Sequence, residues 1–273
     1  LSAATKGRLL IVAATLFWSS NGLFVKSPLF ADWPSEWRGM LLGVWRAAFA
    51  VAALLPLVRV RKFSPALVPP ALAFAAMSFC FLQSMVWTTA ANAIWLQNLA
   101  PAWVCLFMRV GGEPIERRDL TTLVFAAGGV GLILACEMST AGLNDASLWG
   151  VLLGMLSGLL YATIIHFLRK LREFDSAWLI VVNLATGIWP HGGQWLALVA
   201  FGALQLGLAY YFFARGLRSV SSAEAAGIAL LEPILVPVWV WLRYGEVPAW
   251  WTIAGGAFIL TGLAWRYVPR RGY

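Results

Sequence analysis

The 273-residue chain is 61% hydrophobic and only 12% charged, and its formal net charge is +8. Its charged share is about half that of a soluble domain, and this many apolar side chains cannot all be covered by the polar surface of one soluble globule. The apolar content excludes a disordered chain. The three cysteines lie within apolar runs, which excludes a secreted disulfide scaffold. A polytopic membrane protein is the class that remains.

Apolar stretches with room for ten transmembrane helices follow one another along the chain. A span needs about 20 apolar residues, and it must be helical because the bilayer offers no water to an open backbone. The stretch from Phe63 to Met108 contains no Asp, Glu, Lys or Arg and has room for two spans. The predicted spans are about 8–29, 37–58, 67–88, 90–110, 120–138, 148–168, 177–189, 195–217, 222–243 and 249–267.

The seventh predicted span is too short for the bilayer. Residues 177–189 reach only about 20 Å before Pro190 and the glycines that follow it. A re-entrant helix and missing residues near this segment both account for the length, and we favour missing residues. The first span follows Lys6 and Arg8, as a signal peptide would, but its apolar run is longer than a usual signal sequence, so we expect it to be retained.

Basic residues are divided unequally between the two ends of the predicted spans. With the N-terminus placed in the cytoplasm, sixteen Lys and Arg residues fall on the cytoplasmic side. The opposite side receives only Lys26, Arg38 and Arg243, and Arg46 lies within a span. This positive-inside bias predicts that both termini are cytoplasmic and that the number of spans is even. The basic residues therefore orient the chain, and we predict no nucleic-acid partner.

The two halves of the sequence match one another at two shifts. A shift of 143 residues aligns the first span with the sixth, and a shift of 132 aligns the fourth with the ninth. The first shift pairs Gly7, Leu9, Leu10, Leu16, Trp18 and Lys26 with Gly150, Leu152, Leu153, Leu159, Tyr161 and Arg169. The second pairs Ala91, Ala93, Leu99, Pro101 and Val104 with Ala223, Ala225, Leu231, Pro233 and Val236. A Gly-Glu pair follows each proline, at Gly112-Glu113 and at Gly245-Glu246.

A duplication of five spans has a defined structural consequence. Because five is odd, the second copy crosses the bilayer in the opposite sense. We therefore predict an all-α polytopic membrane protein with ten transmembrane helices in two inverted five-helix repeats, residues 1–138 and 139–273. Inverted repeats of this kind enclose a substrate site near the membrane midplane and transport the substrate by alternating access.

Four groups of motifs give the chain a resemblance to a known family. They are Phe17-Trp18-Ser19-Ser20-Asn21, Trp45-Arg46-Ala47, Asn98-Leu99-Ala100-Pro101 with Gly112-Glu113, and Leu231-Glu232-Pro233 with Gly245-Glu246. With these motifs, the chain resembles the EamA-type ten-helix members of the drug/metabolite transporter superfamily over nearly its whole length. Within that family it looks most like the YddG-type amino-acid exporters. The resemblance implies a secondary transporter of a bacterial inner membrane that exports amino acids, aromatic ones among them.

Two charged residues are predicted deep in the bilayer. Glu232 lies about 15 Å into the ninth span, where a carboxylate costs roughly 2.5–3.5 kcal/mol and should face the protein interior. It is a candidate for proton coupling or for binding a substrate ammonium, and a structural acid beside Pro233 is the alternative. Arg46 is a candidate for binding a carboxylate or for pairing with Glu232, and a structural anchor that bonds helix carbonyls is the alternative.

Aromatic and polar side chains at mid-depth complete the predicted substrate site. An aromatic wall with a few polar groups suits a zwitterionic amino acid or an organic cation, and core packing is the alternative. Besides Arg46 and Glu232, the candidates are Trp18, Asn21, Gln83, Trp95, Asn98, Tyr161, Gln205 and Tyr210. Pro101 and Pro233 each remove a helix hydrogen bond, and we predict a hinge at each, with a static bend as the alternative.

Other functions receive less support from the sequence. It contains no cluster of metal ligands, no nucleophile elbow and no phosphate-binding loop, so we predict no metal, no cofactor and no enzyme activity. The alternatives are a multidrug or organic-cation exporter of the same fold, a membrane-embedded lipid-modifying enzyme and a passive channel. The expected partners are a small-molecule substrate and the lipid bilayer, and a monomer is expected, with a dimer as the alternative.

Overall fold

The described part of the chain is all-helical. The computed structural model describes residues 2–57, 68–112, 116–141, 146–168 and 189–267. Its α-helices are α1 (Ala3–Ser19), α2 (Asn21–Val25), α3 (Ser35–Leu54), α4 (Val68–Trp87), α5 (Ala90–Gln97), α6 (Ala100–Val110), α7 (Arg117–Ala141), α8 (Ala146–Leu168), α9 (Gly193–Ala200), α10 (Ala209–Gly216), α11 (Ser222–Ala229), α12 (Leu231–Tyr244) and α13 (Trp250–Tyr267). Short 3-10 turns occupy Pro28–Phe30 and Leu55–Leu57, and Phe201–Leu208 is a π-helix.

These helices join into rods with the length and composition of membrane spans. Seven rods are long and apolar enough to cross a bilayer: Ala3–Val25, Ser35–Leu54, Ala90–Val110, Arg117–Thr140, Ala146–Ile164, Gly193–Gly216 and Glu224–Tyr244. Two shorter apolar helices are Ala71–Trp87 and Trp250–Trp265. The nine segments correspond to nine of the predicted spans. The seventh predicted span, 177–189, lies outside the described residues apart from Trp189.

Polar caps and glycines fix where several rods begin and end. Thr89 begins α5 by accepting a hydrogen bond on its side chain from the amide of Asn92 at 3.1 Å, which satisfies a donor that the first helical turn leaves unpaired. Gly112 and Gly245 follow α6 and α12 with φ of 77° and 71°, a left-handed conformation that glycine adopts without strain. These are the glycines of the two Gly-Glu pairs. Glu113 lies outside the described residues.

Three rods are interrupted at mid-length. The Ala3–Val25 rod is broken at Ser20, between α1 and α2. The Ala90–Val110 rod is broken at Asn98 and Leu99, between α5 and α6. The third break is Leu230, between α11 and α12. Each of the last two breaks comes just before a proline that was predicted to be a hinge, Pro101 or Pro233. A proline is tolerated in the first turn of a new helix because the amide it lacks would be unpaired there.

Close helix packing at glycines joins the first and second halves of the chain. Helix α4 packs along α8, and α1 packs along α10. A Cβ atom on Gly150 of α8 would lie 2.9 Å from the backbone nitrogen of Thr88, and one on Gly7 of α1 would lie 2.7 Å from a methyl of Val220. The two sequence shifts align Gly7 with Gly150 and Thr88 with Val220, so the two contacts are equivalent.

The ends of the rods gather into two groups. The Arg8 end of the bundle, as we name it, contains Arg8 at the start of the first rod and Glu224 at the start of α11, which form an ion pair. The Lys26 end contains Lys26, which follows α2, and Glu246, which follows α12, and these form another ion pair. The hydrophobic core lies between the two ends and includes Leu82, Leu96 and Phe201.

Candidate functional site

Arg46 is held in the middle of the bundle against an aromatic ring. It lies eleven residues into α3, about 16 Å from the helix start, and is 5% exposed. Its guanidinium carbon lies 5.2 Å from the centre of the Phe201 ring, which in turn stacks on Phe24 at 4.7 Å. This is cation–π geometry, which favours a guanidinium in an apolar setting. The Nε of Arg46 is buried and has no hydrogen-bond partner.

Two further titratable groups lie within electrostatic reach of Arg46. They are Tyr210 at the start of α10 and Glu232 in the first turn of α12. Glu232 follows the break at Leu230, so the carboxylate lies at a helix N-terminus, whose dipole favours negative charge. Arg46 and Glu232 make no contact within ion-pair distance. Arg46 and Glu232 therefore interact electrostatically without a direct bond between them.

Aromatic rings from α1 and α10 form a wall next to these charges. The Trp18 ring meets Tyr210 edge-on at 5.2 Å and lies 4.9 Å from Phe213. Tyr210 lies six residues before the Gly216 end of its rod and is 41% exposed. This aromatic surface is therefore not fully enclosed by the other helices.

The π-helix carries Gln205, a polar residue that contacts the backbone of Trp18. A π-turn widens the helix and is frequent at functional sites. Within it, Gln205 donates from Nε2 to the carbonyl of Trp18 at 3.2 Å, and its Oε1 is buried without a partner. Asn21 lies between Trp18 and Phe24 on one face of the first rod, is 2% exposed, and has an unpartnered Oδ1. We name Trp18, Asn21, Arg46, Phe201, Gln205, Tyr210 and Glu232 the Arg46 cluster.

Other predicted site residues lie in different surroundings. Gln83 is fully buried, accepts from the amide of Gly39 at 2.9 Å, and donates to the carbonyl of Ser35 at 2.7 Å, so it ties α4 to α3. Asn98 donates to the carbonyl of Ile94 at 2.8 Å and closes the end of α5. Both side chains form hydrogen bonds to the protein backbone.

Tyr161 and Trp95 belong to helices outside the Arg46 cluster, although Trp95 contacts the residue that follows Glu232. Tyr161 is 41% exposed on α8, a helix whose main neighbours are α4, α5 and α6. The indole of Trp95 donates to the carbonyl of Pro233 at 2.8 Å, and its ring fills the space above Gly256. Trp95 therefore connects the two predicted hinge regions to α13.

A second helix proline explains why Trp95 reaches the Pro233 carbonyl. In α12 that carbonyl would accept from the amide four residues later, but this residue is Pro237, which has no amide hydrogen. Trp95 supplies the missing donor from the other half of the chain. The bend in α12 thus depends on two prolines and one indole, whereas the sequence analysis considered Pro233 alone.

The sequence analysis also missed a buried acid. Glu137 of α7 is 7% exposed and accepts hydrogen bonds from Asn92 at 3.0 Å, Ser147 at 3.1 Å and Trp251 at 3.5 Å. These donors lie in the first turns of α5, α8 and α13, so three helix N-termini surround this one side chain. An acid within the predicted fifth span was the available signal.

Comparison with known proteins agrees with this architecture. The family model of the EamA-like transporter family matches residues 5–135 and again residues 148–267. The chain therefore belongs to the EamA-like transporter family and is a multi-pass membrane protein with a transporter role. It is also 27% identical over 191 residues to a protein of Archaeoglobus fulgidus that is described as an uncharacterized transporter, with 66% of this chain and 68% of that protein covered.

A solved structure shares the fold. A crystal structure, described only as that of a protein, superposes with a TM-score of 0.61 and 19% sequence identity. The match covers 97% of this chain and 99% of the other. At this identity the likeness concerns the fold alone.

Proposed function

We propose that the chain is a secondary transporter that exports amino acids across a bacterial inner membrane by alternating access. One observation carries the proposal: Arg46 and Glu232 present opposite charges to each other at mid-depth without forming an ion pair. A zwitterion between them would offer its carboxylate to Arg46 and its ammonium to Glu232 in charge-assisted hydrogen bonds.

The unpartnered polar atoms of the Arg46 cluster support the same ligand class. A buried polar atom without a partner costs about 1–3 kcal/mol, and a native structure usually satisfies it. Arg46 Nε is a donor suited to a carboxylate, whereas Gln205 Oε1 and Asn21 Oδ1 are acceptors suited to an ammonium. The exposed aromatic surface of Trp18 and Tyr210 fits an apolar or aromatic substrate side chain.

Two observations support an inverted repeat of residues 1–138 and 139–273 as the framework for transport. The same family model matches the two parts of the chain separately. The close contact of Gly7 with Val220 has its counterpart in that of Gly150 with Thr88. Equivalent contacts made by both parts of a duplicated chain are expected of two repeats that meet around a shared axis.

The orientation of the chain in this proposal rests on the distribution of basic residues. The positive-inside bias places the Arg8 end and both termini in the cytoplasm and the Lys26 end outside. The working unit in this proposal is a monomer with one small-molecule substrate in a lipid bilayer. A multidrug or organic-cation exporter is the second candidate, and it is favoured by the electrostatic interaction of Glu232 with Tyr210, whose ring meets Trp18.

A competition experiment separates the two candidates. The purified protein in proteoliposomes would transport labelled phenylalanine in the presence of four competitors: phenylalanine, its methyl ester, phenylpropionate and tetraphenylphosphonium. We expect the zwitterion to compete at least about tenfold better than the three analogues, or about 1.4 kcal/mol. Stronger competition by tetraphenylphosphonium would support the organic-cation exporter. If none of these compounds competed and no amino acid were transported, the substrate assignment would be wrong.

A matched pair of arginine variants tests whether Arg46 binds the carboxylate of the substrate. Arg243 lies on the surface with its guanidinium 5.3 Å from the Tyr244 ring, so it copies the cation–π contact of Arg46 outside the cluster. Arg46→Gln should weaken competition by phenylalanine about tenfold and leave the methyl ester unchanged, and Arg243→Gln should change neither. An equal loss for phenylalanine and its ester would contradict carboxylate binding by Arg46.

A further inference from the structure

An ion pair at the Lys26 end is bonded to the backbone of a neighbouring turn. Lys26 Nζ lies 2.7 Å from Glu246 Oε2, and each side chain is about one fifth exposed. Lys26 also donates to the carbonyl of Thr88 at 2.7 Å, and Glu246 Oε1 accepts from the amide of Ala90 at 2.7 Å. Both charged groups therefore hold the turn of residues 88–90, which joins α4 to α5.

The two members of the ion pair belong to one packed unit. The first rod and α12 are joined by a hydrogen bond from the Trp239 indole to Ser19 Oγ at 3.0 Å. They are joined again by a bond from the Tyr244 hydroxyl to the carbonyl of Leu23 at 2.6 Å. The ion pair extends this series of contacts to the ends of both rods, so Lys26 and Glu246 would move together.

The turn of residues 88–90 is also anchored to other helices, although α5 itself packs against α12 as well. Helices α4 and α5 pack along α8. The Thr88 hydroxyl accepts from Asn92, and the Asn92 amide also donates to the buried Glu137 of α7. Ser147 of α8 donates to the other carboxylate oxygen of Glu137. The turn is thus anchored to α7 and α8 on one side, and held by the ion pair on the other.

The contact between the ion pair and the turn of residues 88–90 is short and specific. Ala90 is the first residue of α5, and its amide is a donor that the helix leaves unpaired, so Glu246 acts as a cap supplied by another rod. Charge-assisted hydrogen bonds are individually strong. Within the described residues, two of them join the ion pair to the turn. A contact of this sort can hold a closed state and still open.

We propose that the Lys26–Glu246 pair is a clamp that closes the transport pathway at the Lys26 end by gripping the turn of residues 88–90. On opening, the ion pair stays intact and its two hydrogen bonds to the turn break. This inference rests on the proposed alternating access, and it assigns the outer closure to four described groups: the two charged side chains, the Thr88 carbonyl and the Ala90 amide.

The Arg8–Glu224 pair provides a matched control. It joins the same first rod to α11 at the opposite end, with its side chains 54% and 39% exposed. Within the described part of the chain, these two side chains form no hydrogen bond to the rods of α4 to α8. Loss of this pair should therefore leave the closure at the Lys26 end unchanged.

Thiol labelling tests the clamp without any transported substrate. The reporter is Tyr210→Cys in protein whose Cys80, Cys105 and Cys136 are replaced by alanine, labelled by a membrane-impermeant maleimide from the Lys26 side of oriented vesicles. We expect Lys26→Met and Glu246→Ala each to raise the initial labelling rate at least about fivefold, whereas Arg8→Met and Glu224→Ala leave it unchanged. Equal labelling rates in all four variants and the parent would overturn the proposal.

A pair of crosslinks tests which parts move. The first joins Glu246→Cys to Thr89→Cys across the contact, and the second joins Lys26→Cys to Glu246→Cys within one unit. Oxidation should suppress reporter labelling in the first pair and leave it unchanged in the second, relative to each reduced protein. Suppression by both, or by neither, would contradict the clamp. A labelling change in the reporter, together with no amino-acid flux in the protein that retains Tyr210, would retain the clamp and reject only the substrate assignment.

Discussion

Two arginines of the same region have different surroundings. Arg38 donates three hydrogen bonds to the carbonyls of Ala31 and Trp33, at 2.8 to 3.2 Å, and so fastens the loop before α3. Arg46, two turns further along α3, has a buried Nε without a partner and lies on an aromatic face. Arg38 is thus the anchor that bonds backbone carbonyls. Arg46 is not used in that way, which favours a ligand-binding role.

Glu232 is the residue at which proton coupling can be tested. A carboxylate can take up and release a proton, whereas the amide of Glu232→Gln cannot, although it keeps a similar size. We expect this variant to retain exchange of amino acids but to lose accumulation driven by a pH gradient. Glu232→Asp is the control and should keep the gradient response. The measurement is uptake of labelled amino acid into proteoliposomes with and without an imposed gradient.

Unchanged gradient-driven accumulation in Glu232→Gln would remove this residue as the coupling group. Glu137, another buried acid within the described spans, would then be the next candidate, and it accepts hydrogen bonds from three donors. The surroundings of Glu232 and Glu137 thus differ, and this difference could not be predicted from the sequence.

At the scale of the element, α12 shows how a bend is held. Its Pro233 carbonyl cannot accept from Pro237 and instead accepts from Trp95. Trp95→Phe removes that donor and leaves a buried carbonyl unpaired, so we expect a loss of about 1–2 kcal/mol of stability. The measurement is the thermal unfolding midpoint of the purified protein in detergent.

Two further variants make the Trp95 prediction specific. Trp103 has a buried indole nitrogen without a partner, so Trp103→Phe removes no hydrogen bond and should cost much less. Pro237→Ala returns an amide to α12, and combined with Trp95→Phe it should recover part of the lost stability. Equal losses for the two tryptophan variants would show that ring packing, and not the hydrogen bond, accounts for the effect.

Element positions could be predicted from the sequence, but contacts between elements could not. Apolar length and turn residues located the seven rods of spanning length and the two shorter apolar helices, and the two prolines marked the breaks near Asn98 and Leu230. The paired roles of Trp95 and Pro237 depend on residues far apart in the chain, as do the backbone bonds of Gln83. A single sequence has no signal for such pairs, because its periodicity describes one helix at a time.

At the scale of the whole molecule, the proposed transport cycle combines a mid-depth site with closure at one end. The Arg46 cluster lies between the first rod, α3 and the π-helix, and the Lys26–Glu246 pair lies at the end of the first rod. The first rod therefore contributes residues to both the Arg46 cluster and the Lys26–Glu246 pair. This arrangement links substrate binding to the closure of the pathway, as alternating access requires.

Counterflow in proteoliposomes tests most directly whether a solute site exchanges between the two sides. Vesicles loaded with millimolar unlabelled phenylalanine would be diluted into buffer with a trace of labelled phenylalanine. A carrier exchanges one molecule for another, so we predict that the label transiently accumulates inside above its equilibrium level, and that Arg46→Gln reduces the overshoot. Label that only equilibrates, at a rate proportional to concentration and without saturation, would indicate a passive channel and contradict alternating access.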